Sequence, residues 1–276
     1  MYFLRELSRY PRIGTFGSIL RFHRKTLVCA TPHAFGCKVK EFKATSFLSV
    51  GGVVACGIGA YGFSAFQSPQ KKLPRPAPGP GEDISPETLR ARWKIEPKSN
   101  VLCFFMENEE WGEFSNFYNK GGGFEFVIPQ EFFAVCPKTE EARTVKCDFS
   151  EKAIMLCKAA AMGDASTFDK ISKATDPMEA KLLGRQVKDF DPTLWDRIIC
   201  SVAYEVVLQK FEKQSGLLDI LFKTEDRIIA ETSEDDTIWG IGMRNDDPRV
   251  NDPAQWQGTN ILGWALMEAR KTLRTR

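Results

Sequence analysis

The sequence predicts a mainly α-helical globular domain with a few short β-strands, preceded by a basic leader and one apolar segment. Three observations lead there. Charge divides the chain unevenly, prolines cluster between the two parts, and beyond residue 100 apolar residues recur at helical spacing while strand-like runs stay short. Residues 1–99 carry 16 Lys and Arg against 6 Asp and Glu, whereas residues 100–276 carry 22 against 30. The formal charge of +2 therefore joins a basic leader to an acidic globule. An acidic globule is poorly suited to broad nucleic-acid binding, which depends on neutralising phosphates.

The leader, residues 1–45, contains Arg5, Arg9, Arg12, Arg21, Arg24, Lys25, Lys38, Lys40 and Lys43, with Glu6 and Glu41 as its acids. Arg-rich, acid-poor and amphipathic, it has the pattern of an organelle transit peptide, most simply mitochondrial; a disordered basic tail is the alternative. "SFLSVGGVVACGIGAYGFSAF", residues 46–66, carries no charge. As a helix it would be about 31 Å long, matching the roughly 30 Å hydrocarbon core of a bilayer. It is a candidate membrane anchor, with a transit peptide cleaved near or beyond it as the competing reading. Residues 67–99, with prolines at 69, 74, 76, 78, 80, 86 and 97, read as a semi-rigid, largely unstructured linker. The compact domain is expected over 100–276.

Within that domain "VLCFF" reads as a short strand and "WGEFSNFY" as an aromatic loop. "SEKAIMLCKAAAMGD" reads as a helix with Ser150 as its N-cap and Gly163 near its end. In "DPMEAKLLGRQV" Asp176 caps a helix that starts with Pro177. "PTLWDRIICSVAYEVVLQKFEKQ" is an amphipathic helix with Leu194, Ile198, Val202, Val206 and Phe211 on its buried side. "SGLLDILFKT" is a further helix and "RIIAET" a short strand. "NILGWALMEARKTLRTR" closes the chain as a helix whose basic last turns complement its dipole.

Residue types limit the chemistry. Both histidines, His23 and His33, lie in the leader, so histidine bases and histidine metal ligands are excluded from the globule. The eight cysteines form no C-x-x-C pair and read as reduced, mostly buried thiols. There is no P-loop, no G-x-G-x-x-G and no zinc spacing, and neither a metal nor another cofactor is expected. Carboxylates, lysines and backbone groups remain. Four groups stand out. Glu151, Met155 and Lys158 share one helix face by their spacing. Ser115 and Asn116 lie between Phe114 and Phe117. "SEDDTIWGIG" sets Glu234, Asp235 and Asp236 before Trp239, Gly240 and Gly242. "WQGTNILG" places Gly258 and Asn260 at the start of the last helix, where an anionic ligand would be favoured.

Taken in order, "WGEFSNF", "SEKAIMLCKA", "DPMEAKLLGR", "LWDRI…QKF", "IAETSEDDTIWGIG" and "WQGTNILGWALMEAR" resemble the NADAR/YbiA-like family over Asn108 to Leu273. The chain departs from the pattern in two places. Its Tyr118–Phe149 segment is long, and Lys152 follows Glu151 where His or Gln is expected. The resemblance implies a single mainly helical domain that cleaves a ribose C1–N bond. Its substrates would be phosphoribosylamino-pyrimidine intermediates of riboflavin synthesis, or ADP-ribosylated guanine in nucleic acid. A non-catalytic reader of ADP-ribose or NAD-like ligands is the other reading. Of the three acids, the family register selects Asp236 as the carboxylate facing the cationic ribose, with Lys158 and Glu151 as its catalytic companions. Trp111, Phe114, Ser115, Asn116, Arg185, Glu231, Trp239, Gly240, Gly242 and Asn260 become candidate substrate contacts. Losing one preorganised electrostatic group of this kind costs about 3–4 kcal/mol of barrier stabilisation. Lys158 would serve as acid, as hydrogen-bond donor or as a Schiff-base nucleophile, the last requiring a lowered pKa.

Overall fold

The computed structural model describes residues 84–276. The leader (1–45), the apolar segment (46–66) and the linker up to residue 83 lie outside them. Among the described residues no helix is long and apolar enough to cross a membrane.

Pro86–Ile95 is a helix, α1, which corrects the expectation of an unstructured linker to residue 99. Ser85 and Thr88 form a reciprocal capping box and Pro86 occupies the first turn, so the start is preorganised. Leu89 and Trp93 then bury fully against the domain. After α1 come β1 (Leu102–Phe104), β2 (Phe124–Val127), β3 (Thr144–Cys147), α2 (Ser150–Met162), α3 (Ala165–Lys173) and α4 (Pro177–Gly184). They are followed by α5 (Pro192–Lys213), α6 (Leu217–Phe222), β4 (Ile229–Glu231) and α7 (Ile261–Arg274). Helices dominate, as expected. The strands form two small pairs: β1 lies parallel to β4, with Phe104 opposite Glu231, and β2 lies antiparallel to β3.

The long helix α5 is the hub of the core. Leu194, Ile198, Val202, Val206 and Phe211 are buried, but so are Trp195, Ile199, Cys200, Ala203, Tyr204, Val207 and Leu208. It is therefore surrounded on most of its circumference, by α7, α2 and β2 among others, rather than buried along one stripe. Asp191 and Asp176 cap α5 and α4. The long 118–149 segment supplies the β2–β3 hairpin. Gln209 of α5 clamps it, accepting from Val127 N and donating to Val127 O, both at 2.9 Å.

Ser150 is the first helical residue of α2 rather than its cap. Phe149 holds the cap position with no side-chain hydrogen bond, and the Glu151 N–H instead donates to Asn116 O at 2.9 Å. One of the unpaired donors of the first turn is thus satisfied from the aromatic loop, which ties that loop to the start of α2. All five cysteines of the described region are free thiols, and burial pushes Cys103 up to about 11 and Cys147 and Cys200 up to about 12.

Candidate active site

Helix α2 supplies the first part of the site. Glu151 is buried at its N-terminus, and Met155 and Lys158 follow on the same face. That face meets α4 at Gly184, where an added Cβ would lie 1.9 Å from Met155 Sδ. The missing side chain lets the two helices approach closely and brings Lys181 and Arg185 of α4 into electrostatic range of Glu151.

The strand β4 ends at Glu231, and the chain then turns through residues 233–240. Asp236 organises this turn: its Oδ1 accepts from Ile238 N at 2.9 Å and from Trp239 N at 2.7 Å. Gly240 packs so tightly that a Cβ would lie 2.8 Å from Glu231 O and 3.0 Å from Asp236 O. This holds Glu231 and the Asp236 turn side by side. Trp239 is half-buried beside Ile238, a large apolar side chain that is 48% exposed.

Three carboxyl groups from α2, β4 and the turn therefore share one region with three cations. Their mutual influence is visible in their protonation. Burial raises Glu151 to about 7, opposed by Lys181, reinforced by Asp236, and opposed again by Arg185 and Lys158. Burial raises Glu231 to about 8, reinforced by Asp236, opposed by Lys181 and reinforced by Glu151. Burial likewise lowers Lys158, with Glu151 pulling it back up and Arg185 pushing it further down. Its ammonium stands 4.2 Å from the Phe190 ring centroid and 5.9 Å from that of Trp195. Among the described residues none of the three cations makes an ion pair within 4.0 Å with a carboxylate.

Two buried oxygens in this region have no hydrogen-bond partner: Glu231 Oε2 and Asn116 Oδ1. Buried polar atoms are nearly always paired, so each leaves a hydrogen-bonding position open beside the three carboxyl groups and the cations. Asn116 reaches the region through its carbonyl bond to the Glu151 N–H. Ser115 is buried too, its hydroxyl accepting from Phe117 N at 3.2 Å.

Other candidate contacts are placed differently. Phe114 is 1% exposed and packs edge-on against Phe104 and tilted against Phe211, so its ring belongs to the core. Trp111 stacks on Phe114 at 5.7 Å and lies 5.6 Å from the Arg227 guanidinium. Asn260 is fully buried, and its amide is spent on β4: Oδ1 accepts from Glu231 N at 3.2 Å and Nδ2 donates to Ile229 O at 2.9 Å. It fixes Glu231 rather than presenting an open anion site. Gly242 adopts a left-handed backbone at φ 68° and packs against Gln257 and Gly258.

Lys181 is one residue that sequence reasoning missed. Its spacing of i, i+4 from Arg185 was the available signal. A second is Lys210 on α5, completely buried, which donates to Glu113 O at 2.7 Å and Ser115 O at 3.1 Å and so anchors the aromatic loop. Burial lowers its pKa to about 7, against the pull of Glu113. Among the described residues no group of three His, Cys, Asp or Glu side chains is arranged to hold a metal ion.

Fold and site together define a mainly helical domain with a histidine-free centre of carboxylates and cations. The family model for the NADAR domain matches residues 103–274, and the chain belongs to that family. Protein irg-1 of Caenorhabditis elegans is 37% identical over 183 residues, which cover 66% of this chain and 84% of that protein. A protein named as an N-glycosidase from Acanthamoeba polyphaga mimivirus is 37% identical over 123 residues, covering 44% of this chain and 72% of its own length. The NMR structure of the E. coli protein YbiA is similar at 22% identity and a TM-score of 0.47, covering 66% of this chain and 89% of that one.

Proposed function

We propose that this chain is a hydrolase of N-glycosyl bonds that cleaves the ribose C1–N bond of a ribosylated small molecule, a phosphoribosylamino-pyrimidine in the first instance. The observation that carries the reading is the convergence of Glu151, Glu231 and Asp236, with Glu231 Oε2 left buried and unpaired. The name of the mimivirus relative supports the same bond class.

The chemistry follows from the charges. As the C1–N bond lengthens, its electron pair leaves with the base and positive charge spreads over C1 and the ring oxygen. The Asp236 carboxylate, oriented by two backbone N–H groups, stabilises that charge electrostatically. The departing nitrogen needs a proton. A carboxyl held at about 8, as Glu231 is, still carries one at neutral pH and can donate it. The resulting carboxylate then takes a proton from the water that adds to C1, which restores the starting state. Lys181 and Arg185 are suited to a substrate phosphate, since both stand beside the carboxylates without an ion-pair partner. Lys158, lowered by burial, gains a fraction of neutral amine and is the group through which a Schiff base with opened ribose would pass.

The test is to incubate the full chain with ribosylaminopyrimidine phosphates and, separately, with ADP-ribosylated guanine, and to identify the freed base by mass spectrometry. Release of the pyrimidine supports the reading. Release of guanine alone moves the substrate to ADP-ribosylated nucleic acid. Binding of either without release sinks the catalytic reading in favour of a ligand reader.

A further inference from the structure

We propose that α1, which precedes the family match at residues 103–274, is a positioning element of the active site, acting through Thr259 on the turn that carries Asp236. Thr259 is 1% exposed, and its polar groups are divided between the two. Its hydroxyl accepts from Arg90 Nε at 2.8 Å and its carbonyl accepts from Trp93 Nε1 at 2.7 Å. Its N–H donates at 2.9 Å to the carbonyl of Thr237, the residue next to Asp236.

The bonds continue along the same two segments. Asn260 N donates to Gly240 O at 2.9 Å, Ile261 N to Ile238 O at 3.3 Å and Leu262 N to Trp239 O at 3.1 Å. Gly258 crosses this junction so closely that a Cβ there would stand 2.2 Å from Gly240 O. The 258–262 segment is therefore hydrogen-bonded along residues 237–240, and α1 side chains bond to the same segment at Thr259. Trp93 also packs on Trp256 at 5.2 Å, and Lys94 donates to Ala254 O at 2.7 Å. These bonds come from α1 side chains to a loop that has no other described support for the Thr259 carbonyl and hydroxyl. Ser85 and Pro86, which start α1, become part of the functional domain by this route.

The consequence for catalysis rests on the reading of Asp236 as the charge-stabilising carboxylate; the mechanical consequence does not. The experiment uses full-length chain bearing Trp93→Phe together with Arg90→Met, which removes both donors while keeping an aromatic ring at 93 and an unbranched chain at 90. Arg143→Met, in the β2–β3 hairpin where Arg143 donates to Ile128 O, controls for a general loss of stability. Hydrogen exchange across 236–242 should rise about 10-fold in the double variant, the scale of one or two lost hydrogen bonds. In the same variant kcat should fall by a similar factor with KM within about twofold. The control should lose thermal stability with neither change. Unchanged exchange at 236–242 overturns the brace. Raised exchange with unchanged kcat, or a fall in kcat no larger than in the control, overturns its role in positioning Asp236. If the wild-type chain cleaves no ribosylated substrate, the proposed activity fails while exchange still decides the brace.

Discussion

Replacing Glu231 with Gln should alter how folding stability depends on pH. The Glu231 carboxyl is held at about 8 in the folded protein against an ordinary 4.5, first by burial and then by the Asp236 charge. Between those two values the folded chain keeps a proton that the unfolded chain has released. Stability from this group is therefore full below the unfolded value, falls as pH rises, and is at its lowest above the folded value. Each pH unit of such a window is worth about 1.4 kcal/mol, so the ceiling is on the order of 5 kcal/mol. Oε2 is completely covered while the residue as a whole stays partly exposed, and solvent screening of the exposed part brings the expected effect to about 2 kcal/mol. The amide keeps the shape and removes the titration. Glu151, raised in the same direction to about 7, is present in both proteins and largely cancels. Urea unfolding of the two proteins from pH 5 to pH 9 should show the wild type losing stability relative to the variant as pH rises. Parallel curves, or a variant that loses stability faster, would refute the buried-carboxyl reasoning.

Asn260→Ala removes two buried hydrogen bonds to β4 and puts Ala at φ 54°; chemical denaturation should show a loss of about 2–4 kcal/mol. Lys181→Met removes a cation that lowers both Glu151 and Glu231. The pH–rate profile should then shift to higher pH, and KM for a phosphorylated substrate should rise about 10-fold. Borohydride reduction during turnover should leave a ribose adduct on Lys158 in peptide mass spectra if the reaction passes through a Schiff base. An intact, unmodified Lys158 under productive turnover eliminates that route.

The long helices were legible because their apolar spacing and their Asp–Pro starts are local. Asp176–Pro177 and Asp191–Pro192 both begin helices in the structure. Ser85–Pro86 carries the same signal, but it lies in a proline-rich stretch whose composition reads as linker, and the partner of Trp93 is Thr259, far along the chain. Ser150 looked like a cap because the true source of support, Asn116 O, is distant in sequence. At the site, Glu151 and Lys158 could be placed on one face by spacing. Their neighbours Lys181 and Arg185 depend on how closely α4 approaches, which Gly184 decides through a contact with Met155 that no local pattern encodes. Asn260 and Phe114 belong to ordered motifs, yet the structure uses one to lock β4 and the other to fill the core. Sequence order alone does not separate a residue that touches a ligand from one that shapes its neighbour.

The central claim is that the Asp236 carboxylate stabilises a cationic ribose. The most direct measurement is single-turnover cleavage by Asp236→Asn beside ligand affinity for the same variant. The asparagine Oδ1 can still accept from Ile238 N and Trp239 N, so the turn should persist. Cleavage should slow at least about 100-fold while ligand affinity changes less than about fivefold, the scale seen when one preorganised electrostatic group is lost. Cleavage at near wild-type rate, or affinity and rate lost together, would contradict the account.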